Sequence, residues 1–147
     1  MLNLALQNND GSEFDPAEYQ GNSYLLLVFF RGAWCNHCKK QLNELEQAIE
    51  SFSAANCKIL AISPDTKFNS SLLKSFLRLS FPVLSDMDLK ITDQYDLRAV
   101  YKDKIVPKPS AFIYAPSGEL KFSYIGADYD DRLSAKQILL ELQKVQL

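Results

Sequence analysis

The chain has 147 residues, of which 47% are hydrophobic, which is enough to bury the core of one compact domain without disulfide staples. Its 16 basic and 18 acidic residues are scattered and give a formal net charge of -2, which argues against nucleic acid or a lipid membrane as a partner. We therefore expect one domain spanning residues 1–147, whose partners are proteins or small molecules.

The amino-terminal residues 1–11 lack the basic flank and the long apolar stretch of a signal peptide. The longest apolar run, residues 24–30, is too short to cross a bilayer. Three cysteines are too few for the disulfide framework of a secreted protein, and two of them, Cys35 and Cys38, are separated by only two residues. These features predict a cytoplasmic protein, in which such a pair indicates redox chemistry or metal binding.

Strands and helices alternate in the first half of the chain. Residues 2–6 are a short strand candidate, and residues 24–31 are nearly all apolar, as expected of a central strand covered on both faces. From Cys38 to Phe52 the apolar residues recur at intervals of three and four, which predicts one amphipathic helix. Residues 58–63 predict a second buried strand. A second helix should follow it, with apolar residues at helical spacing, namely Leu72, Leu73, Phe76 and Leu77. This order predicts a parallel sheet.

The second half has a different pattern. Residues 100–110 contain two prolines and predict a loop, after a short helix near residues 89–95. Residues 111–115 and 120–125 predict an antiparallel hairpin. A polar turn at residues 128–132 should precede a last helix, which begins at Ser134 with Gln137 reaching back to cap it. The predicted class is α/β, with a mixed central sheet flanked by helices.

Cys35 stands at the start of the first predicted helix, just after the strand at residues 24–31. A helix amino terminus offers unpaired N–H groups and the positive end of the dipole, so it stabilises a thiolate relative to a thiol. Arg31, Lys39 and Lys40 add positive charge nearby in sequence, although they could equally be ordinary solvated charges. A cysteine so placed can have a pKa of roughly 3.5 to 7.5, against about 8.5 for a free thiol.

The two cysteines are expected to have different roles. Cys38 begins the apolar stripe of the helix, so its sulfur should face inward, while Cys35, one turn earlier, should be the exposed thiol. Cys35 would then attack, and Cys38 would resolve the resulting mixed disulfide or sulfenic acid. His37, between them, either favours the thiolate when protonated or is a solvent-facing spacer. Trp34 could be a core aromatic residue, but its place beside Cys35 favours a shield over one side of the disulfide.

The segment W-C-N-H-C-K at residues 34–39 resembles the W-C-x-x-C-K signature of the thioredoxin superfamily, and Pro109 resembles its cis-proline before a strand. A resemblance to the peroxiredoxin-like branch of the AhpC/TSA family extends, in order, over residues 30–35, 61–65, 80–86, 109–113 and 127–132. These resemblances imply a thioredoxin-like three-layer sandwich. They also imply that a cis Pro109 packs against the disulfide and helps to shape the docking of substrate.

The chain departs from the family pattern at several positions. Members of this branch commonly have proline and tyrosine between the cysteines, where this chain has Asn36 and His37. True peroxiredoxins have the motif P-x-x-x-T/S-x-x-C, whose hydroxyl orients the peroxide, whereas this chain has Val28 and Gly32 at those positions. Arg31 is not at the position of the arginine that supports this motif. The resemblance therefore implies thiol chemistry more firmly than it implies peroxide reduction.

These observations predict a thiol-based oxidoreductase that cycles between a Cys35/Cys38 dithiol and disulfide and reduces protein disulfides or hydroperoxides. It needs no bound metal or organic cofactor, and its electrons would come from a thiol reductant such as thioredoxin or glutathione. Two alternatives stay open: a non-catalytic redox-sensing or protein-interaction module, and a metal-binding protein. A zinc site would need His37 and Cys57 beside the pair, but Cys57 adjoins a core strand and reads as a buried small hydrophobe.

Overall fold

The apolar runs of the sequence form the inner strands of one sheet. The computed structural model describes residues 22–147, so the predicted strand at residues 2–6 lies outside the described residues. The strands are β1 (Tyr24–Phe29), β2 (Cys57–Ser63), β3 (Val83–Ser85), β4 (Arg98–Tyr101), β5 (Lys104–Pro107), β6 (Ser110–Tyr114) and β7 (Leu120–Ile125). The helices are α1 (Asn36–Gln47), α2 (Ile49–Ala54), α3 (Lys67–Leu77), α4 (Lys90–Gln94) and α5 (Ala135–Val145).

The main sheet has five strands in the order β3-β2-β1-β6-β7, and β4 and β5 pair separately. β1, β2 and β3 run parallel, as the alternation of strands and helices predicts. β6 runs antiparallel to both β1 and β7, which confirms the predicted hairpin in the second half of the chain. The sheet is therefore mixed, and the predicted α/β class is confirmed.

Both faces of β1 are buried. Leu26 and Val28 face one apolar cluster, which side chains from α1, α2, α3 and α5 complete. Leu25 and Leu27 face a second cluster, to which α4 contributes Ile91. Successive side chains of a strand point to opposite faces, so a continuous apolar run can only be buried if both faces are covered. The helices cover the sheet on both sides and give the predicted three layers.

The predicted loop at residues 100–110 is wrong, because its first part belongs to a hairpin. Arg98 pairs with Pro107 and Tyr101 pairs with Lys104, around a tight turn in which Lys102 has a φ of 56°. Pro107 is tolerated because it lies at the end of β5, where the missing N–H costs little of the ladder. The hairpin brings Tyr101 to the site described below.

The predicted single helix through Phe52 is divided into two. α1 ends at Gln47 and α2 begins at Ile49, with Ala48 between them at φ -97° and ψ 10°. The Ala48 N–H bonds to the carbonyls of both Glu44 and Leu45, as in a tightened last turn. The apolar spacing does not detect this break, because buried residues lie on the same side of both helices.

The last helix begins where the sequence predicts. The Ser134 hydroxyl accepts a hydrogen bond from the Gln137 N–H at 3.2 Å, and the Gln137 side chain accepts one from the Ser134 N–H at 2.8 Å. This capping box satisfies two N–H groups that the helix start would leave unpaired. None of the helices within residues 22–147 has both the length and the apolar character needed to span a bilayer.

Four connections meet at the end of the sheet where β1 stops. Phe29, the last residue of β1, is in register with Ile62 of β2 and with Ser110 of β6, and Ser110 is in register with Ile125, the last residue of β7. The β1–α1, β2–α3, β5–β6 and β7–α5 connections therefore lie close together. The cysteine pair lies in the first of these connections and at the start of α1.

Candidate active site

Cys35 occupies the N-cap position of α1. Its backbone is extended, with φ -90° and ψ 114°, and its sulfur accepts a hydrogen bond from the Cys38 backbone N–H at 3.3 Å. The Nη2 atom of Arg31 donates to the same sulfur at 3.2 Å. The Cys38 sulfur accepts the backbone N–H of Arg31 at 3.4 Å. The Cys35 sulfur is therefore hydrogen-bonded both to a backbone N–H of the predicted helix start and to Arg31, one of the predicted cations.

The two thiols differ in acidity. Hydrogen bonds from the Cys38 thiol, the Arg31 guanidinium and the Cys38 backbone N–H outweigh the effect of burial and lower the pKa of Cys35 to about 5. Burial, together with the neighbouring Cys35, raises the pKa of Cys38. At neutral pH the pair therefore holds one thiolate, on Cys35, and one thiol, on Cys38.

Arg31 is a buried cation, only 5% exposed, that lies between sulfur and aromatic rings. Its Cζ atom is 4.8 Å from the ring centroid of Trp34, 4.2 Å from that of Tyr101 and 5.0 Å from that of Tyr129. Burial opposes its charge, but the hydrogen bond to Cys35 and the field of both cysteines raise its pKa overall. In the part of the chain that the structure describes, no carboxylate forms an ion pair with Arg31. The thiolate is its anionic partner.

The prediction that Cys35 is the exposed thiol is wrong. Cys35 is 2% exposed, and Cys38 is fully buried. Arg31 lies against the sulfur, and the rings of Trp34, Tyr101 and Tyr129, which we call the aromatic cover, lie around the guanidinium. Reaction at Cys35 therefore requires either movement of the aromatic cover or a reactant small enough to pass it.

The remaining predicted residues lie around the pair rather than on it. Trp34 is 39% exposed. Its ring contacts the Arg31 guanidinium, which in turn donates to the Cys35 sulfur. His37 is exposed, and its ring centroid lies 5.4 Å from that of Tyr129. Lys39 is half-buried and Lys40 is exposed. Within residues 22–147, the groups that hydrogen-bond to the two sulfurs belong to Arg31 and to the cysteines themselves.

Tyr129 and Arg132 belong to the site, although the sequence indicates only a polar turn at residues 128–132. Asp131 accepts hydrogen bonds that hold the turn together, so the structural interpretation is correct as far as it goes. Arg132 donates to the Tyr129 carbonyl, and its charge lowers the pKa of Cys38 against the larger effect of burial. The resemblance of this segment to the family was the signal that could have found both residues.

Cys57 is a buried structural thiol, as predicted. It is 5% exposed, its sulfur contacts the Lys58 carbonyl at 3.5 Å, and burial raises its pKa to about 12. Within residues 22–147, no three histidine, cysteine, aspartate or glutamate side chains are grouped so that they could hold a metal ion.

Pro109 is also near the site, but the prediction of a cis bond is wrong, because residues 22–147 contain no cis peptide bond. The Lys108 N–H donates to the Leu97 carbonyl at 2.7 Å, and the Pro109 carbonyl accepts a hydrogen bond from the Gly126 N–H at 2.8 Å. The bond before Pro109 therefore has the trans form that X-Pro bonds usually prefer. Pro109 lines a cleft of about 180 Å³ that opens beside Arg31.

Comparison with known sequences identifies the family. The sequence model of the AhpC/TSA family matches residues 1–123. The chain belongs to the AhpC/TSA family. It is 26% identical over 120 residues to the thiol-disulfide oxidoreductase ResA of Bacillus subtilis, which covers 80% of this chain and 61% of that protein. It is 29% identical over 126 residues to a mitochondrial thioredoxin-dependent peroxide reductase of Drosophila melanogaster, which covers 80% of this chain and 52% of that protein. The chain thus spans about three fifths or less of the length of these relatives.

Solved structures of peroxiredoxins have the same fold as this AhpC/TSA chain. A cysteine-to-serine mutant of PrxQ from Xylella fastidiosa superposes with a TM-score of 0.87 at 18% identity, over 99% of this chain and 91% of that one. The peroxidoxin BcpB from Mycobacterium tuberculosis gives a TM-score of 0.83 at 17% identity, over 96% and 92% of the two chains. At such identities the likeness concerns the fold, which is the predicted thioredoxin-like one.

Gly32 stands where the peroxiredoxin motif has a hydroxyl, and its surroundings leave no room for one. A Cβ atom added there would overlap the Trp34 indole nitrogen and lie 3.2 Å from Oδ1 of Asp65. Asp65 is held in place because its other carboxylate oxygen accepts the Ala33 N–H at 2.7 Å. In this AhpC/TSA chain an indole ring therefore fills the space that a threonine or serine side chain would need.

Proposed function

We propose that this chain is a thiol-based oxidoreductase in which Cys35 and Cys38 cycle between dithiol and disulfide. The observation that carries the proposal is the opposite acidity of the two thiols, with the pKa of Cys35 at about 5 and that of Cys38 raised. A pair with one thiolate and one thiol in hydrogen-bond contact is prepared for attack by the first sulfur and resolution by the second.

In the first step, the Cys35 thiolate attacks one sulfur of a substrate disulfide or the outer oxygen of a hydroperoxide. The disulfide gives a mixed disulfide on Cys35 and releases a thiolate, while the hydroperoxide gives a sulfenic acid and, with one proton taken from water, an alcohol. The cleft beside Arg31 offers a route for a small reactant, because Arg31 and two rings of the aromatic cover line it. A protein disulfide would need the aromatic cover to open.

In the second step, Cys38 attacks Cys35. Once Cys35 has reacted, its negative charge is gone, and that charge is one of the effects that raise the pKa of Cys38. The Arg31 backbone N–H and the charge of Arg132 remain, and both favour the Cys38 thiolate. Cys38 therefore becomes more acidic at the point where its thiolate is needed. The attack forms the Cys35–Cys38 disulfide and releases either the second substrate thiol or water.

The cycle closes when one external dithiol, or two molecules of a monothiol such as glutathione, supply two electrons that reduce the disulfide, and no metal or organic cofactor enters the reaction. Thioredoxin and glutathione both have the necessary chemistry. Relatives of this chain carry names that refer to thiol-disulfide exchange and to thioredoxin-dependent peroxide reduction. We propose that the reaction takes place in the cytoplasm, where such reductants keep the pair in the dithiol state.

A single specific observation favours a second candidate function. Cys35 is 2% exposed, which suits a non-catalytic redox sensor that reacts slowly and then changes a binding surface. The two functions differ in turnover, since a sensor reacts once per reduction event and does not consume substrate continuously.

The test is a turnover assay in which thioredoxin or glutathione supplies electrons and either an organic hydroperoxide or a protein disulfide is the substrate. We expect the wild-type chain to turn over at least one of these substrates, and Cys35→Ser to reduce the rate to the background. Cys38→Ser should leave a trapped mixed disulfide or sulfenic acid on Cys35, detectable by mass. Turnover that survives in Cys35→Ser would contradict the mechanism, and a single stoichiometric reaction without turnover would favour the sensor.

A further inference from the structure

The buried guanidinium of Arg31 is matched to the reduced form of the cysteine pair. It is 5% exposed, and its Nη2 atom donates to the Cys35 sulfur at 3.2 Å. Its other two nitrogens, Nε and Nη1, are buried and have no hydrogen-bond partner within residues 22–147. A buried cation that loses its anionic partner is strongly destabilising, because its charge is then desolvated without compensation. The Cys35 thiolate and Arg31 therefore stabilise each other.

Within the described residues, no carboxylate is placed to replace the thiolate. Asp128 and Lys108 line the cleft beside Arg31, and neither forms an ion pair with it. Asp128 is exposed, so its carboxylate would have to leave water to reach the guanidinium. The charges that act on Arg31 and favour its protonated form are those of Cys35 and Cys38. The compensation of Arg31 therefore depends on the state of the two sulfurs.

A Cys35–Cys38 disulfide removes the anion. Its two sulfurs are neutral, and neutral sulfur is a weak hydrogen-bond acceptor. In the reduced pair these sulfurs accept the Arg31 Nη2 at 3.2 Å, the Cys38 N–H at 3.3 Å and the Arg31 N–H at 3.4 Å, and all three bonds weaken when the negative charge is lost. The aromatic cover attracts the guanidinium in both states, so it does not offset this loss. The folded chain therefore stabilises the dithiol more than the disulfide.

We infer that the Cys35–Cys38 disulfide is an oxidant of protein dithiols, so that the chain passes the oxidation of a hydroperoxide on to a protein dithiol and does not reduce protein disulfides. The inference rests on the proposed function, because it chooses between the two substrates of that function and gives the direction of the exchange. Stabilisation of the reduced form is what makes a pair of cysteines oxidising.

The oxidation consists of two thiol–disulfide exchanges. The first thiolate of the partner attacks the Cys35 sulfur, forms an intermolecular disulfide and releases Cys38 as a thiolate, which takes up a proton. The second thiolate of the partner then attacks the partner's sulfur in that bond and releases the Cys35 thiolate, which pairs with Arg31 again. The partner loses two electrons and becomes a disulfide. The hydroperoxide that oxidised the chain has accepted two electrons and left as alcohol and water.

The first test is the equilibrium between this chain and thioredoxin at about pH 7, approached from both directions. We expect it to favour the reduced chain and oxidised thioredoxin by about tenfold or more, because the attacking cysteine of thioredoxin has a pKa of about 7 and its thiolate is stabilised less. An equilibrium that favours the oxidised chain would overturn the inference, while the proposed function would stand as protein-disulfide reduction. If no Cys35–Cys38 disulfide forms at all, the proposed function itself has failed.

The second test assigns the effect to Arg31. Each variant is equilibrated at about pH 7 with mixtures of reduced and oxidised glutathione, and the disulfide fraction is measured by alkylation and mass. Arg31→Met should stabilise the disulfide relative to the dithiol by about 10- to 100-fold, as expected when the pKa of Cys35 rises by about one to three units. Arg31→Lys keeps a cation and should lie between Arg31→Met and the wild type. Lys40→Met, which removes an exposed cation from α1, is the matched control and should keep the wild-type equilibrium.

The third test needs no variant. Reduction of the wild-type disulfide by two molecules of glutathione releases one proton, because Cys38 takes up a proton and Cys35 stays a thiolate. The equilibrium constant for this reduction should therefore rise about tenfold per pH unit between about pH 6 and pH 8. A constant that does not change over this range would show that the reduced pair holds no stabilised thiolate, and equal constants in Arg31→Met and the wild type would show that Arg31 does not set the direction. Either result contradicts the inference.

Discussion

Cys35 and Cys57 are the same side chain in two buried places, and their thiols differ greatly in acidity. Cys35 is 2% exposed and Cys57 is 5% exposed, so burial does not distinguish them. The pKa of Cys35 is lowered to about 5, while that of Cys57 is raised to about 12. The start of α1 gives Cys35 a thiol, a guanidinium and a backbone N–H as donors. At the start of β2 the Cys57 thiol donates to the Lys58 carbonyl, and a backbone hydrogen bond from Leu26 lowers its pKa by less than burial raises it.

The comparison shows that the acidity of a thiol in this chain depends on its hydrogen-bond donors rather than on its exposure. A buried thiol is normally held neutral, because an apolar environment disfavours the charged form. At Cys35 the hydrogen bond from the Cys38 thiol and the Arg31 guanidinium reverse this effect on the pKa. The charge of Arg31 is itself buried, and its anionic partner is the thiolate. The rings of Trp34, Tyr101 and Tyr129 hold the guanidinium in place without competing for it as carboxylates would.

Removing the Arg31 guanidinium should have the largest effect on the difference in pKa between Cys35 and Cys57. In Arg31→Met, the midpoint of the pH profile for alkylation of Cys35 should rise by about one to three pH units, because a cation in contact with the thiolate is lost. The midpoint is the quantity to measure, since the variant also alters access to the sulfur and hence the absolute rate. Lys40→Met, which removes an exposed cation from the next turn of α1, is the control and should leave the midpoint unchanged. A midpoint in Arg31→Met equal to that of the wild type would mean that α1 alone acidifies Cys35.

The two cysteines should also differ, with a smaller effect, in how they contribute to the pH dependence of the unfolding free energy. Because the pKa of Cys35 is lower in the folded chain than in the unfolded one, its contribution is complete above pH 8.5 or so and is lost as pH falls towards 5. The difference in unfolding free energy between the reduced wild-type chain and Cys35→Ser should therefore shrink by about 3 kcal/mol from pH 8 to pH 5. Urea unfolding at a series of pH values measures it.

Cys57→Ala provides the contrast in the same measurement. The raised pKa of Cys57 means that its titration contributes stability below the unfolded pKa, and that this contribution is lost only as pH rises towards 12. The difference between the wild-type chain and Cys57→Ala should then be constant between pH 5 and pH 8. A slope of similar size in both variants would show that the two thiols are not distinct in the folded chain.

Periodicity and capping chemistry predict most of the fold. Several elements can be predicted because each depends on residues close in sequence: β1, β2, the β6–β7 hairpin and the Ser134 cap. The β4–β5 hairpin was not predicted, because the two prolines in residues 100–110 are typical of a loop. Pro107 lies at a strand end, which a single sequence does not distinguish from a strand interior.

The sequence predicts the centre of the site but not its surroundings. Arg31, Cys35 and Cys38 are close in sequence, so a strand followed by a helix start is enough to bring them together. Tyr101 and Tyr129 come from the hairpin and from the β7–α5 connection, and they meet Arg31 only because several connections converge where β1 ends. The prediction that Cys35 is exposed fails for the same reason, namely that distant segments surround it. Helical spacing gives the direction of a side chain but not what covers it.

The thiolate of Cys35 can be measured directly by its ultraviolet absorbance in the reduced chain, titrated from about pH 4 to pH 10 with Cys35→Ser as the reference. We predict one thiolate per chain that appears with a midpoint near pH 5 and is absent from Cys35→Ser. A first thiolate that appears only near pH 8 or 9, at the value of a free cysteine, would contradict the assignment of Cys35 as the attacking group.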